Sequence, residues 1–170
     1  MKPPLLASLL LLAGAALPAP PDDEVAKKFI GAWRLVSTEQ RLADGSTRPG
    51  AYGPKGVGYI LYTGTHMCAL LMNPDRPRTS TPPTDQEVRS AYTGMAAYCG
   101  AYEVDAKQGL VIHHVELDKS PNAVGTLRKR SFTFSGNRLI LRPVPPLPEG
   151  VVEYSLTWER VTASPPRPQP

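Results

Sequence analysis

Arg130 stands in a stretch where every second residue after it is aromatic. Phe132 and Phe134 follow it, while Lys129, Ser131 and Thr133 alternate with that series. On a strand this alternation turns the guanidinium inward beside two phenyl rings. An inward Arg needs an anionic partner, because an unpaired buried charge is very costly. Two kinds of partner suit it: a ligand carboxylate, phosphate or enolate oxygen, or an internal carboxylate such as Glu39 or Glu116. His113 and His114 are adjacent, so a strand sends them to opposite faces. His113 shares its side with Val111, Val115 and Leu117 and is the inward one. Its imidazole is either a satisfied core histidine or a base and hydrogen-bonding contact for a bound molecule. Tyr102 and Tyr154 are expected to point inward in the upper half of the fold, with hydroxyls to offer. Phe132 adds an apolar wall. The candidate ligand-binding set is therefore Arg130, His113, Tyr102, Tyr154 and Phe132, with no residue assigned as catalytic.

Other chemistry has no matching pattern. The three histidines are His66, His113 and His114, without HExxH spacing, so no metal site is assigned. There is no Gly-x-Ser-x-Gly elbow, phosphate loop or dinucleotide fingerprint, and no cofactor is expected. Net charge is +4. The basic residues are scattered apart from Arg128-Lys129-Arg130, without the interleaved aromatics of a nucleic-acid face.

The elements that must position these side chains are short strands. Alternating or β-branched runs bounded by Gly, Pro and Asn fall at roughly 32–40, 57–63, 66–72, 99–105, 110–117, 127–135, 138–142 and 151–161. Two helices interrupt these eight runs. One leads in from Asp22 to Ile30. The other begins at Thr84, where Thr84-x-x-Glu87 is a capping box, and continues through Val88, Tyr92, Met95 and Cys99 at helical spacing. Tight turns at 63–65, 105–109 and 135–137 alternate with long connections at 43–56, 73–98, 118–126 and 143–150. In an up-and-down meander the tight turns gather at one end and the long loops at the other. The expected fold is all-β: an eight-stranded up-and-down antiparallel barrel, closed at the tight-turn end. Its second helix, between the third and fourth strands, should lie across the rim. Such a barrel is either filled by side chains or holds one small ligand.

The ends of the chain read differently. Met1-Lys2 followed by the apolar run Leu5–Leu17, about 13 residues long, has the size of a signal-peptide core. A membrane span needs roughly 20 residues. Residues 1–19 are thus expected to be a signal peptide, 22–162 the barrel and 163–170 a disordered, Pro-rich tail. Periplasmic or secreted localisation follows, with no membrane span. Cys68 and Cys99 are the chain's two cysteines. They read as a disulfide in an oxidising compartment or as two small buried residues in different strands.

Several segments together resemble the bacterial lipocalin-like domain family of the calycin superfamily. They are 29–37 (FIGAWRLVS), Gly58–Thr63, His66-Met67, Tyr98 with Gly100 and Tyr102–Val104, His113–Glu116, Pro121-Asn122 with Val124–Thr126, Arg130 with Phe132, and Leu156–Val161. Ala123 stands where an aromatic tends to sit, and Cys68 is a second departure from the usual pattern. The resemblance implies that Gly31 and Trp33 of the first strand meet Arg160 of the last, sealing the barrel floor with the guanidinium stacked on the indole. It also implies a barrel that binds a small molecule; the apolar inner face suits a hydrophobic or amphipathic one, and Arg130 would suit an anionic one.

Three functions compete on this reading. A non-catalytic binder needs the cavity alone and is preferred. A cyclase or isomerase would use His113, Tyr102 and Arg130 as base and oxyanion partners, and would require an acidic residue to orient His113. A filled barrel would act through its loops as an interaction module.

Overall fold

The computed structural model describes residues 21–162. The segments expected to be a signal peptide (1–19) and a disordered tail (163–170) lie outside the described residues. Helix α1 (Pro21–Phe29) leads into strand β1 (Gly31–Leu42). Strands β2 (Thr47–Pro49), β3 (Val57–Tyr62) and β4 (His66–Met72) follow, then helix α2 (Asp85–Thr93). The remainder is β5 (Met95–Asp105), β6 (Leu110–His114), β7 (Leu117–Asp118), β8 (Leu127–Ser135), β9 (Arg138–Pro143) and β10 (Val151–Arg160).

The order β10-β9-β8-β6-β5-β4-β3-β1 closes through β10 pairing with β1, which gives an eight-stranded antiparallel barrel. Strand β2 forms a small flap on the upper half of β1, and β7 pairs with β5. Closure through β1 and β10 leaves neither as a free sheet edge along their shared ladder. Its pattern comes from alternation. On β3 the buried residues are Gly58, Ile60 and Tyr62, and on β4 they are Met67, Ala69 and Leu71.

Two details differ from the expectation. The second helix ends at Thr93, where the Gly94 amide bonds the Ser90 carbonyl, and Met95 and Cys99 belong to β5. Their helical spacing is outweighed by pairing: Met95 lies opposite Met72 and Cys99 opposite Cys68. The Tyr92 hydroxyl donates to the Lys119 carbonyl, and the Lys119 ammonium sits 4.2 Å from the Tyr92 ring centre.

The fifth run is also shorter than expected. A Cβ on Gly100 would lie 1.7 Å from the His114 carbonyl oxygen, so the backbones come within touching distance there. The chain breaks its ladder after His114, and Leu117 emerges on the outer surface, 66 % exposed. Cys68 and Cys99 face each other across β4 and β5 with Cα atoms 4.1 Å apart, and a disulfide joins them. Among the described residues no helix is long and apolar enough to cross a membrane.

Candidate binding cavity

The floor is built by the lead-in helix and the barrel ends. Phe29 is fully buried and meets Tyr62, Phe132 and Phe134 edge-on, with ring centres 5.0 to 5.2 Å away. Trp33 is buried beside it and donates its indole N–H to the Phe29 carbonyl at 2.7 Å. Arg160 stacks on the indole, and Gly31 is left without a side chain under it. A Cβ there would meet Arg160 Nη1 at 2.9 Å, on a backbone at φ +130°. The lower half of the barrel is therefore solid with aromatic rings.

The upper half keeps a cavity of about 80 Å³. Its base is apolar, made by Ile60, Ala69, Leu141, Leu156 and Trp158. Toward its mouth Arg128, Arg130, Tyr52 and Tyr154 stand with Leu71, Ala96 and Pro143, and Tyr98 lies level with Ala69. Arg130 lies opposite Pro143 near the upper end of β9, whereas Phe132 lies opposite Leu141 one layer lower. No residue of α2 contributes to the lining.

The two arginines differ in their partners. Arg128 pairs with Asp118 at 2.7 Å, and that carboxylate is almost fully buried. Its guanidinium stacks 4.1 Å over the Tyr98 ring. Arg130 has no carboxylate partner among the described residues; its one hydrogen bond is long, 3.4 Å to the Arg128 carbonyl. The internal pairs considered for it do not form. Glu39 is exposed on the outer face, and the Glu116 carboxylate accepts from the Ala101 amide and lies 3.8 Å from His66. With Arg128 neutralised by Asp118, the cavity wall carries one uncompensated positive charge. Tyr52 and Tyr154 beside it stay neutral: burial pushes the Tyr52 phenol up to about 12 and raises that of Tyr154 as well.

His113 is completely buried and points inward, yet it sits beneath the cavity. Its Nδ1 shares a hydrogen bond with the Tyr98 hydroxyl (3.0 Å) and its Nε2 with the Tyr62 hydroxyl (2.9 Å). A neutral imidazole donates through one nitrogen and accepts through the other, so both tyrosines satisfy it. Burial, with the charges of Arg130, Arg128 and His114 adding to it, holds its pKa well below the usual 6.5. No acidic residue orients it.

The five residues singled out by sequence thus separate. Arg130 and Tyr154 line the cavity, and His113 reaches it only through Tyr98. Phe132 packs against Phe29. Tyr102 lies at the floor and not in the upper half: its hydroxyl donates to the Thr63 carbonyl at 2.8 Å, and its ring meets Tyr62. The reason is direction, since β5 descends and residue 102 falls near its lower end. Sequence reasoning missed Arg128, Tyr98, Tyr52 and Trp158. Alternation from Arg130 and Tyr102 would have found the first two; Tyr52 comes from a loop and carried no periodic signal. Among the described residues, the buried side-chain polar atoms without a partner are Trp158 Nε1, in the cavity wall, and Thr38 Oγ1. No three described His, Cys, Asp or Glu residues cluster as metal ligands would.

A family model described as lipocalin-like domain matches residues 30–161. Among solved structures the chain is similar to two mutants of the fluorescent protein UnaG, at 9% and 12% identity. Each comparison covers 81% of this chain and 99% of the other, with TM-scores of 0.38 and 0.37. No curated protein matches the chain.

Proposed function

The chain belongs to the lipocalin-like domain family, and we propose that it binds a small amphipathic anion in the upper half of its barrel, with Arg130 as the anchor. The observation that carries this reading is the Arg130 guanidinium in the cavity wall without a carboxylate partner. A positive charge at the mouth above an apolar base suits a molecule with one anionic and one apolar end. The hydroxyls of Tyr52 and Tyr154 add hydrogen-bonding capacity without adding charge. Export to the periplasm or the medium belongs to the same reading; the Leu5–Leu17 run and the Cys68–Cys99 disulfide support it.

The enzymatic alternative is the weaker one. It needs a base with an acidic orienting partner, and His113 has two tyrosines and a depressed basicity instead. The filled-barrel alternative describes the lower half only.

The test uses hexanoate as probe and the Trp158 indole N–H resonance as readout, since Trp158 lines the cavity. Hexanoate is expected to shift that resonance saturably. Arg130→Gln should weaken binding at least tenfold while the barrel stays folded by circular dichroism. Equal affinity in the variant and the parent would remove Arg130 from the site.

A further inference from the structure

The cavity's depth and filling set the size and the direction of its ligand. We infer that the ligand enters apolar end first, that its anion stays at the mouth on Arg130, and that only about three or four apolar carbons are accommodated below it. This rests on the anion-binding reading above and adds the ligand class: short-chain or compact carboxylates, not long-chain lipids.

Three observations carry it. Arg130 is level with Pro143, and the layer of Leu141 and Leu156 lies two strand residues, about 7 Å, deeper. Arg128 and Arg130 stand at the mouth beside Leu71, Ala96 and Pro143, whereas the base is apolar throughout, so the reverse orientation would strip a carboxylate of water against Leu141, Leu156 and Trp158. The floor is packed by Phe29, Trp33, Phe132 and Phe134: Phe29 meets both phenylalanines edge-on, and Trp33 lies tilted against Phe134 at 6.0 Å. A cavity of about 150 Å³ holds one benzene molecule. The volume here, about 80 Å³, is near half of that and far below the roughly 300–1,000 Å³ of pockets that engulf drug-sized molecules.

The experiment titrates the full mature chain with straight-chain carboxylates from acetate to decanoate, following the Trp158 and Trp33 indole N–H resonances. Each methylene buried against the base should tighten binding about fourfold. The rise should stop near pentanoate, with less than twofold change from there to decanoate. Trp158 should respond to every binding member and Trp33, beneath the packed rings, to none. Leu156→Ala and Leu141→Ala each enlarge the base, and the break should move two or three carbons further in whichever variant stays folded. A fourfold gain per carbon continuing to decanoate overturns the size limit, and so does an affinity that is flat from acetate onward. Both results leave anion binding standing. Failure of every carboxylate to bind, or an unchanged series in Arg130→Gln, overturns the anion-binding reading itself and this inference with it.

Discussion

The Arg160 guanidinium lies 4.0 Å from the centre of the Trp33 indole, and its two terminal nitrogens donate to the carbonyls of Ile30 and Lys28. One side chain thereby joins the last strand, the first strand and the lead-in helix. Trp33 and Arg160 are also register partners in the β1–β10 ladder, so the stack forms only when the barrel closes.

Removing either half of this stack should therefore weaken closure. Trp33→Ala truncates a large buried side chain and is expected to cost about 3–5 kcal/mol. Arg160→Lys keeps the charge but loses the flat stack and one of the two carbonyl bonds, for about 1–2 kcal/mol. Urea unfolding of both variants checks this. A loss below about 1 kcal/mol for Trp33→Ala would mean the indole does not plug the floor.

Much of this was legible along the chain. Tight turns and long loops alternate in the sequence, and that alone places the mouth and the floor. The Gly31/Trp33 and Arg160 pairing followed from family resemblance and from closure. What did not read out was depth along each strand. Tyr102 and Tyr98 share an inward face four residues apart, yet one lies at the floor and the other at the cavity; periodicity gives the face, not the height. The helix overran for a similar reason, since Met95 and Cys99 fit a helical spacing that strand pairing with Met72 and Cys68 outcompetes. The partner of Arg130 depended on where Glu39 and Glu116 project, which no local pattern encodes.

The disulfide between Cys68 and Cys99 closes a loop of 31 residues. In the chain-entropy model such a link stabilises by about 3–4 kcal/mol. Replacing both cysteines by Ala should lower the unfolding free energy by that order without changing the barrel's circular dichroism. Adding reductant to the parent protein should give the same loss. An unchanged unfolding midpoint in both cases would show that the link adds nothing to stability.

Acid should destabilise the fold through His113. Its folded pKa is held well below 6.5, so below pH 6.5 the unfolded chain takes up a proton that the folded chain refuses. The unfolded state binds more protons there, and stability falls as pH drops through that value. The slope from this one group approaches about 1.4 kcal/mol per pH unit. Urea unfolding at pH 7.5, 6.0 and 5.0 should show it, and His113→Gln should remove about one proton's worth of the slope. His114→Gln, on the outer face beside Glu103, serves as the control and should leave that component in place.

Tyr98→Phe isolates the link between His113 and the cavity. The substitution deletes the hydroxyl 3.0 Å from His113 Nδ1 and keeps the ring on which Arg128 stacks. A buried ring nitrogen is then left without its partner, at a cost of about 1–3 kcal/mol. Tyr62→Phe does the same to Nε2 and should cost a similar amount. The two losses should fall short of additive in the double variant, because both hydroxyls hold one ring in place. Nitrogen-15 spectra of the imidazole provide a second check: each single variant should shift the resonance of the nitrogen it orphans more than the other. If Tyr98→Phe leaves both the spectrum and the unfolding free energy unchanged, the Tyr98–His113 hydrogen bond does not couple the cavity wall to the histidine below it.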